Sequence, residues 1–167
     1  MDLQLVLGVA AVGVGATLVM DLWNLFLRVA FGIPSLDLCL LGRWVGHMPK
    51  GTFRHERISG AAPTAGECVV GRAVHYAIGV GLAAALAVLT AGESLLRPAF
   101  LPALLFGLVT VVFPFFVMQP ALGLGVASAR APDPTRARLK SLMSHAAFGL
   151  GLWAAAVPVG RYLGAHA

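Results

Sequence analysis

The stretch LQLVLGVAAVGVGATLVMDLWNLFLRVAF, Leu3 to Phe31, decides the fold. It carries no charge before Asp21, and it exceeds the roughly 20 largely apolar residues that a helix needs to cross the hydrocarbon of a bilayer. A secretory signal is shorter, begins with a basic segment and holds no polar residues like Asp21, Asn24 and Arg28 in its second half, so this segment is expected to stay attached as a membrane helix. Gly32 and Pro34 then end it.

Three further stretches of the same kind follow, at about residues 67–91, 98–127 and 134–163. Thr64 and Glu67 form an S/T-x-x-E capping box ahead of the second, and Asp133 before Pro134 reads as an N-cap with proline at the first helical position. Of the 167 residues 59% are apolar and 11% charged, against about a quarter charged in a soluble domain. The fold class expected is therefore all-α: a polytopic membrane protein with four transmembrane helices in a single transmembrane domain over residues 1–167.

Ten of the twelve Lys and Arg residues lie in or beside the first and third connections, leaving Arg97 and Arg161 opposite. Positive charge collects on the cytoplasmic side, so those connections are expected in the cytoplasm and both termini in the periplasm. The formal net charge of +5 is accounted for by this topology and by anionic lipid headgroups. With no basic, aromatic-rich soluble module present, nucleic acid is not expected as a partner. Cys39 and Cys68 form neither a CxxC pair nor a disulfide framework, and they read as reduced, structural residues.

An internal match runs through the second and fourth stretches: His75-Tyr-Ala-Ile-Gly-Val-Gly-Leu-Ala-Ala-Ala aligns without a gap on His145-Ala-Ala-Phe-Gly-Leu-Gly-Leu-Trp-Ala-Ala. Val19-Met20-Asp21 and Val117-Met118-Gln119 align less extensively. The expected architecture is a four-helix bundle of two tandem hairpins, parallel repeats about an axis along the membrane normal. Recurring small residues such as Gly79, Gly81, Gly149 and Gly151 also serve plain close packing of membrane helices.

Polar residues within the spans form the candidate site. Asp21, Asn24 and Arg28 share one helix face by their i, i+3, i+7 spacing, and helix rise places Asp21, His75, Gln119 and His145 in the cytoplasmic third. Hydrocarbon makes such groups costly, so they are expected to turn inward, with Asp21 accepting from His75 as in a proton relay, or simply to tie the helices together. Pro114 and Pro120 bracket Phe-Phe-Val-Met-Gln119 and each removes a helix donor, which predicts a kink or opening beside Gln119. In the first connection, residues 33–65, Leu36 to Val45 is apolar but too short to span and is expected as an interfacial or re-entrant helix. Beyond it, Arg43, Trp44, His47, Lys50, Arg54 and His55 either anchor the loop at the headgroups or form a lid over the polar cluster. No HExxH, Walker A, nucleophile elbow or zinc spacing is present, and no nucleophile sits beside a base, so enzyme chemistry is not the reading preferred.

Gly15-Ala-Thr-Leu-Val-Met-Asp-Leu-Trp, Gly42-Arg-Trp-Val-Gly-His-Met-Pro with Phe53-Arg-His, His75-Tyr-Ala-Ile-Gly and Pro114-Phe-Phe-Val-Met-Gln-Pro-Ala-Leu-Gly together resemble a group of small bacterial inner-membrane proteins catalogued as domain of unknown function twenty-nine thirty-eight. The resemblance covers nearly the whole chain. It implies a bacterial inner-membrane location and supplies no activity. Three functions compete: a small transporter or transporter subunit using the polar cluster; a scaffold or assembly protein binding another membrane protein through small-residue faces such as Ala11 to Gly15 or Gly81 to Ala85; and a haem or divalent-metal protein ligated by His75 and His145. No cofactor is expected outside that last alternative. Partners are the lipid bilayer and either a second copy in a homodimer or another membrane protein.

Overall fold

The computed structural model describes residues 3–165, and no strand occurs among them. Helix α1 runs Leu3–Phe31. It stops where Gly32 turns left-handed at φ +64°, with the Gly32 and Ile33 N–H groups returning to the carbonyls of Arg28 and Leu27. The predicted short helix follows as α2, Leu38–His47, capped by Asp37, whose carboxylate accepts from the Cys39 N–H at 2.8 Å. Next come α3, Glu67–Leu89, the single-turn α4, Glu93–Leu96, and α5, Phe100–Val109. A π-helical turn, Pro114–Met118, and α6, Gln119–Ala121, complete the third span, and α7 runs Pro134–Ala165. Asp133 caps α7 as expected, accepting from the Arg136 N–H at 2.9 Å.

Four helical stretches are long and apolar enough to cross a bilayer: Leu3–Phe31, Glu67–Leu89, Phe100–Ala121 and Pro134–Ala165. The chain is a multi-pass membrane protein with lipid against its outer surfaces, which explains why large apolar side chains such as Val29 and Val88 stand 78% exposed. The third stretch ends at Ala121, short of the 127 reached by hydropathy alone. Pro120 contributes no N–H to the ladder, and Gly123 and Gly125 take φ of +91° and +74° directly after it.

The described residues fall into two compact units. Unit one takes α1, the chain from Tyr76 to Thr110, and the chain from Met143 onward. Its core is Val12, Ala16, Met20, Leu86, Phe148, Leu152 and their neighbours. Helices here meet backbone to backbone through glycine: a β-carbon on Gly13 would strike Gly79 and Val80, one on Gly107 would strike Gly149 and the His145 carbonyl, and one on Gly151 would strike Ala16. Gly15 differs, because what it faces is a side chain, the Ala155 methyl. With lipid tails as apolar as leucine, helix association rests on such close van der Waals approach.

Unit two holds residues 35–75 and 111–142, with nine of the twelve Lys and Arg residues and four of the seven carboxylates. In it α2 crosses the first turn of α3 so tightly that a β-carbon on Gly42 would meet the Glu67 carbonyl and one on Gly71 the Leu38 carbonyl. Cys39 and Cys68 are joined there as a disulfide, with Cα atoms 3.9 Å apart. This corrects the reading of both as reduced: no short-range motif announces the pair, since the crossing brings together residues 29 apart.

Arg43 organises the rest of the connection. Its Nε and Nη2 donate to the two Glu67 carboxylate oxygens at 2.9 and 2.7 Å, and Nη1 donates to the Ala61 carbonyl at 3.1 Å. Glu67 Oε2 also accepts from the Thr64 N–H at 2.9 Å, so the expected capping contact and the ion pair share one carboxylate. The chain past Arg54 also docks through its backbone: His55 N–H donates to the Ala121 carbonyl at 2.8 Å and Ile58 N–H to the Leu122 carbonyl at 3.1 Å. Gly123 lies under the Glu56 carbonyl, where no β-carbon fits.

Two outcomes follow from this packing. Gly149→Leu forces α5 and α7 apart at a cost of about 3 kcal/mol, whereas Gly81→Leu, which meets open space, is tolerated; thermal unfolding of the two variants in detergent checks the contrast. Arg43→Lys keeps the charge and loses the two-pronged grip. It is expected to speed hydrogen exchange at residues 55–62 while leaving exchange within α1 unchanged.

Candidate functional site

Polar contacts cross between helices inside unit one. Tyr76 Oη donates to Asp21 Oδ2 at 3.1 Å, joining α3 to α1, and Ser144 Oγ donates to Asn24 Oδ1 at 2.7 Å, joining α7 to α1. Thr110, at the end of α5, lies 2.8 Å from His145 Nδ1 on α7. The threonine hydroxyl has one proton and donates it to the Gly107 carbonyl at 2.6 Å, so Nδ1–H of His145 is the donor in the histidine contact. In a neutral ring, that places the proton on Nδ1. Each contact answers the cost of leaving a polar group unsatisfied away from water.

Tyr76, the residue that follows His75, is a donor to Asp21. One residue on a helix turns the side chain by about 100°, and the sequence match that singled out His75 says nothing about phase. His75 itself is half-buried and belongs, with Gln119, to unit two, while Asp21, Asn24, Arg28 and His145 belong to unit one. Arg28 is exposed. The candidate residues are thus divided between the units.

The predicted opening beside Gln119 takes the form of the π-helical turn, closed by the Gln119 N–H donating to the Pro114 carbonyl. π-turns of this kind recur at functional positions in membrane and soluble helices alike. The Gln119 side chain is 4% exposed. Its amide donates to Ser141 Oγ at 3.3 Å, and Ser141 in turn donates to the Ala137 carbonyl at 3.0 Å. Gln119 Oε1 is buried with no hydrogen-bond donor. An acceptor in that state fits a hydrogen-bonding or cationic guest.

Of the residues proposed as a lid, Arg43 is structural in the manner described above, and Trp44 Nε1–H donates to the Phe53 carbonyl at 2.8 Å. His47 Nε2 lies 3.0 Å from the Ala62 carbonyl, which can only accept, so that nitrogen carries the proton. The His47 and His55 rings are 5.0 Å apart between centroids, and His55 Nε2 is buried without a partner. Burial first, and then the neighbouring His47, hold the His55 imidazole below its usual titration range, so the folded loop favours the neutral ring. Lys50 and Arg54 are exposed.

Tyr76, Thr110, Ser141 and Ser144 escaped the sequence reading, as did Trp23, whose buried Nε1–H has no acceptor. Ser141, Ser144 and His145 lie at i, i+3 and i+4 on α7, a stripe that a count of uncharged polar residues would have revealed. The histidine–haem alternative needs space beside the Gly-x-Gly pairs, and that space is filled: Gly79 meets Thr17 Oγ1, Gly149 meets Leu104, and Gly151 meets Ala16, leaving only Gly81 of the four in the open. These residues do not fit a macrocycle. Among the described residues no group of three or more His, Cys, Asp or Glu is placed to share a metal ion. A cavity of about 130 Å³ in unit one, between Leu86, Thr90, Ser94 and Trp153, includes none of the candidate residues.

No curated protein and no solved structure matches this chain. One family model does, over residues 10–159, which takes in the second and third spans, most of the first and fourth, and both of the connections rich in cations; its description is "Protein of unknown function (DUF2938)". Because that match covers most of the sequence, the chain belongs to the DUF2938 family.

Proposed function

We propose that the protein is a small transporter or transporter subunit of the bacterial inner membrane, with connections one and three in the cytoplasm and both termini in the periplasm. The observation that carries the transport reading is the buried Gln119 Oε1, an acceptor without a donor beside a π-helical turn bracketed by Pro114 and Pro120. Interrupted helices with unanswered acceptors at membrane depth are where transporters hold cations and hydrogen-bonding solutes. Asp21 and His145 supply titratable groups for coupling to protons. Orientation is supported by the cation bias, ten against two.

Duplication of a hairpin is part of the same reading. Gly79 and Gly149 occupy equivalent places in the internal match, and each is the glycine at which its hairpin closes, against Gly13 in one case and Gly107 in the other. A scaffold role is the second reading. It is favoured by the pairing of Asn24 with Ser144 and of His145 with Thr110, contacts that hold helices together at about 1 kcal/mol each without any ligand.

Two measurements check these proposals. In proteoliposomes carrying an internal pH dye, imposed sodium or potassium gradients are expected to move protons; Gln119→Leu should lower that flux about tenfold, equivalent to 1.4 kcal/mol, and Asp21→Asn should change its pH dependence. Equal flux in wild type, both variants and empty vesicles would leave the scaffold reading in possession. Alkaline phosphatase, active only outside the cytoplasm, is expected to be inactive when fused after Gly51 and active when fused after Gly92; the opposite pattern inverts the orientation.

A further inference from the structure

We propose that Cys39 and Cys68 form a reversible dithiol–disulfide site that exchanges with thiols of the cytosol. The proposal rests on the orientation given above, which puts connection one in the cytoplasm. A disulfide there is out of place as a permanent staple, because cytosolic thiols are kept reduced, and disulfides found in that compartment are characteristically transient.

The surroundings of the pair fit a bond that opens and closes. Each cysteine is the second residue of its helix, Cys39 in α2 and Cys68 in α3, so each sulfur leaves from a first turn, the end at which the helix dipole favours negative charge. Cys68 is exposed and Cys39 half-buried, which gives an incoming thiolate access to the Cys68 sulfur. The crossing also has fasteners of its own: the Arg43–Glu67 ion pair and the close approach at Gly42 and Gly71 hold α2 on α3 whichever state the sulfurs are in. Reduction therefore releases two sulfurs held side by side and does not scatter them.

The exchange balances in two steps. A thiolate of a cytosolic dithiol attacks Cys68 Sγ, the Cys39–Cys68 bond breaks, and Cys39 leaves as a thiolate that takes up a proton. The second thiol of the reductant then attacks the mixed disulfide, frees Cys68 and closes the reductant's own disulfide. Two electrons pass to the pair and none is left over. The reverse needs a disulfide or another two-electron thiol oxidant, for which diamide serves as the probe. The two states differ in how firmly the start of α2 is bound to the first turn of α3, so the cell's thiol balance is written into the cation-rich unit.

The full-length protein in intact cells provides the test. Its two cysteines are the only ones in the chain, so a gel shift with a PEG-maleimide after acid quenching and denaturation counts free thiols directly. Two adducts are expected in untreated cells, none after diamide, and two again once diamide is removed. Two adducts throughout would overturn the proposal, because the sulfurs then never pair. So would none throughout, including after dithiothreitol is given to native membranes, because the bond is then a permanent staple. A membrane-impermeant maleimide added to reduced intact cells separates the two readings: blocking of Cys68 from outside overturns the orientation and the cytosolic partner, while the diamide cycle independently decides reversibility.

Discussion

Hydrocarbon offers no hydrogen bonds, and the structure is shaped around that deficit. Every polar side chain placed in a span must find its complement on another helix, on its own backbone or in a guest. Thr17 turns its hydroxyl back to the Gly13 carbonyl at 2.8 Å; Asn24 reaches α7; Asp21 reaches α3; His145 reaches the end of α5. Glycine makes these reaches short. Once Gly107 and Gly149 let α5 and α7 touch, Thr110 lies within hydrogen-bond distance of His145, so the steric and polar requirements are met by one approach of two backbones.

Outside the spans the same economy is achieved with charge. Arg43 spends its guanidinium on Glu67 and on loop carbonyls, and Glu67 divides its carboxylate between that cation and the Thr64 amide. The loop that follows is held to Ala121 and Leu122 by main-chain bonds. A connection rich in cations is thereby given a definite shape without a hydrophobic core of any size, Leu41 and Ile58 being its buried aliphatic residues.

How much of this was legible in the sequence depends on which force decided it. Helix ends written in special residues could be read directly: Gly32 for α1 and Asp133 with Pro134 for α7, whereas the Asp37 cap of α2 fell inside the helix expected from Leu36 to Val45. Spans decided by hydropathy were found, although the third was drawn too long, because hydropathy is blind to the missing N–H of Pro120 and to the left-handed glycines beyond it. The interruption at Pro114 to Gln119 was foreseen from the prolines; its π-helical form was not, since that depends on how neighbouring turns share carbonyls. Contacts that depend on helix phase or on long-range crossing were hidden. Tyr76 and His75 differ by one residue in sequence and by most of a third of a turn in space, and nothing local marks Cys39 and Cys68 as neighbours.

The two kinds of glycine contact leave different histories open to the protein. Where Gly15 faces the Ala155 methyl, a larger residue on one helix can be offset by a smaller one on the other, and lineages can drift through such exchanges. At the α2–α3 crossing no exchange exists, because Gly42 and Gly71 face the carbonyl oxygens of Glu67 and Leu38, atoms common to every amino acid. A change at either glycine has no second-site suppressor in the facing side chains. The crossing is thus an evolutionary dead end, able to persist or to be lost together with the loop built on it, and unable to be remodelled by degrees.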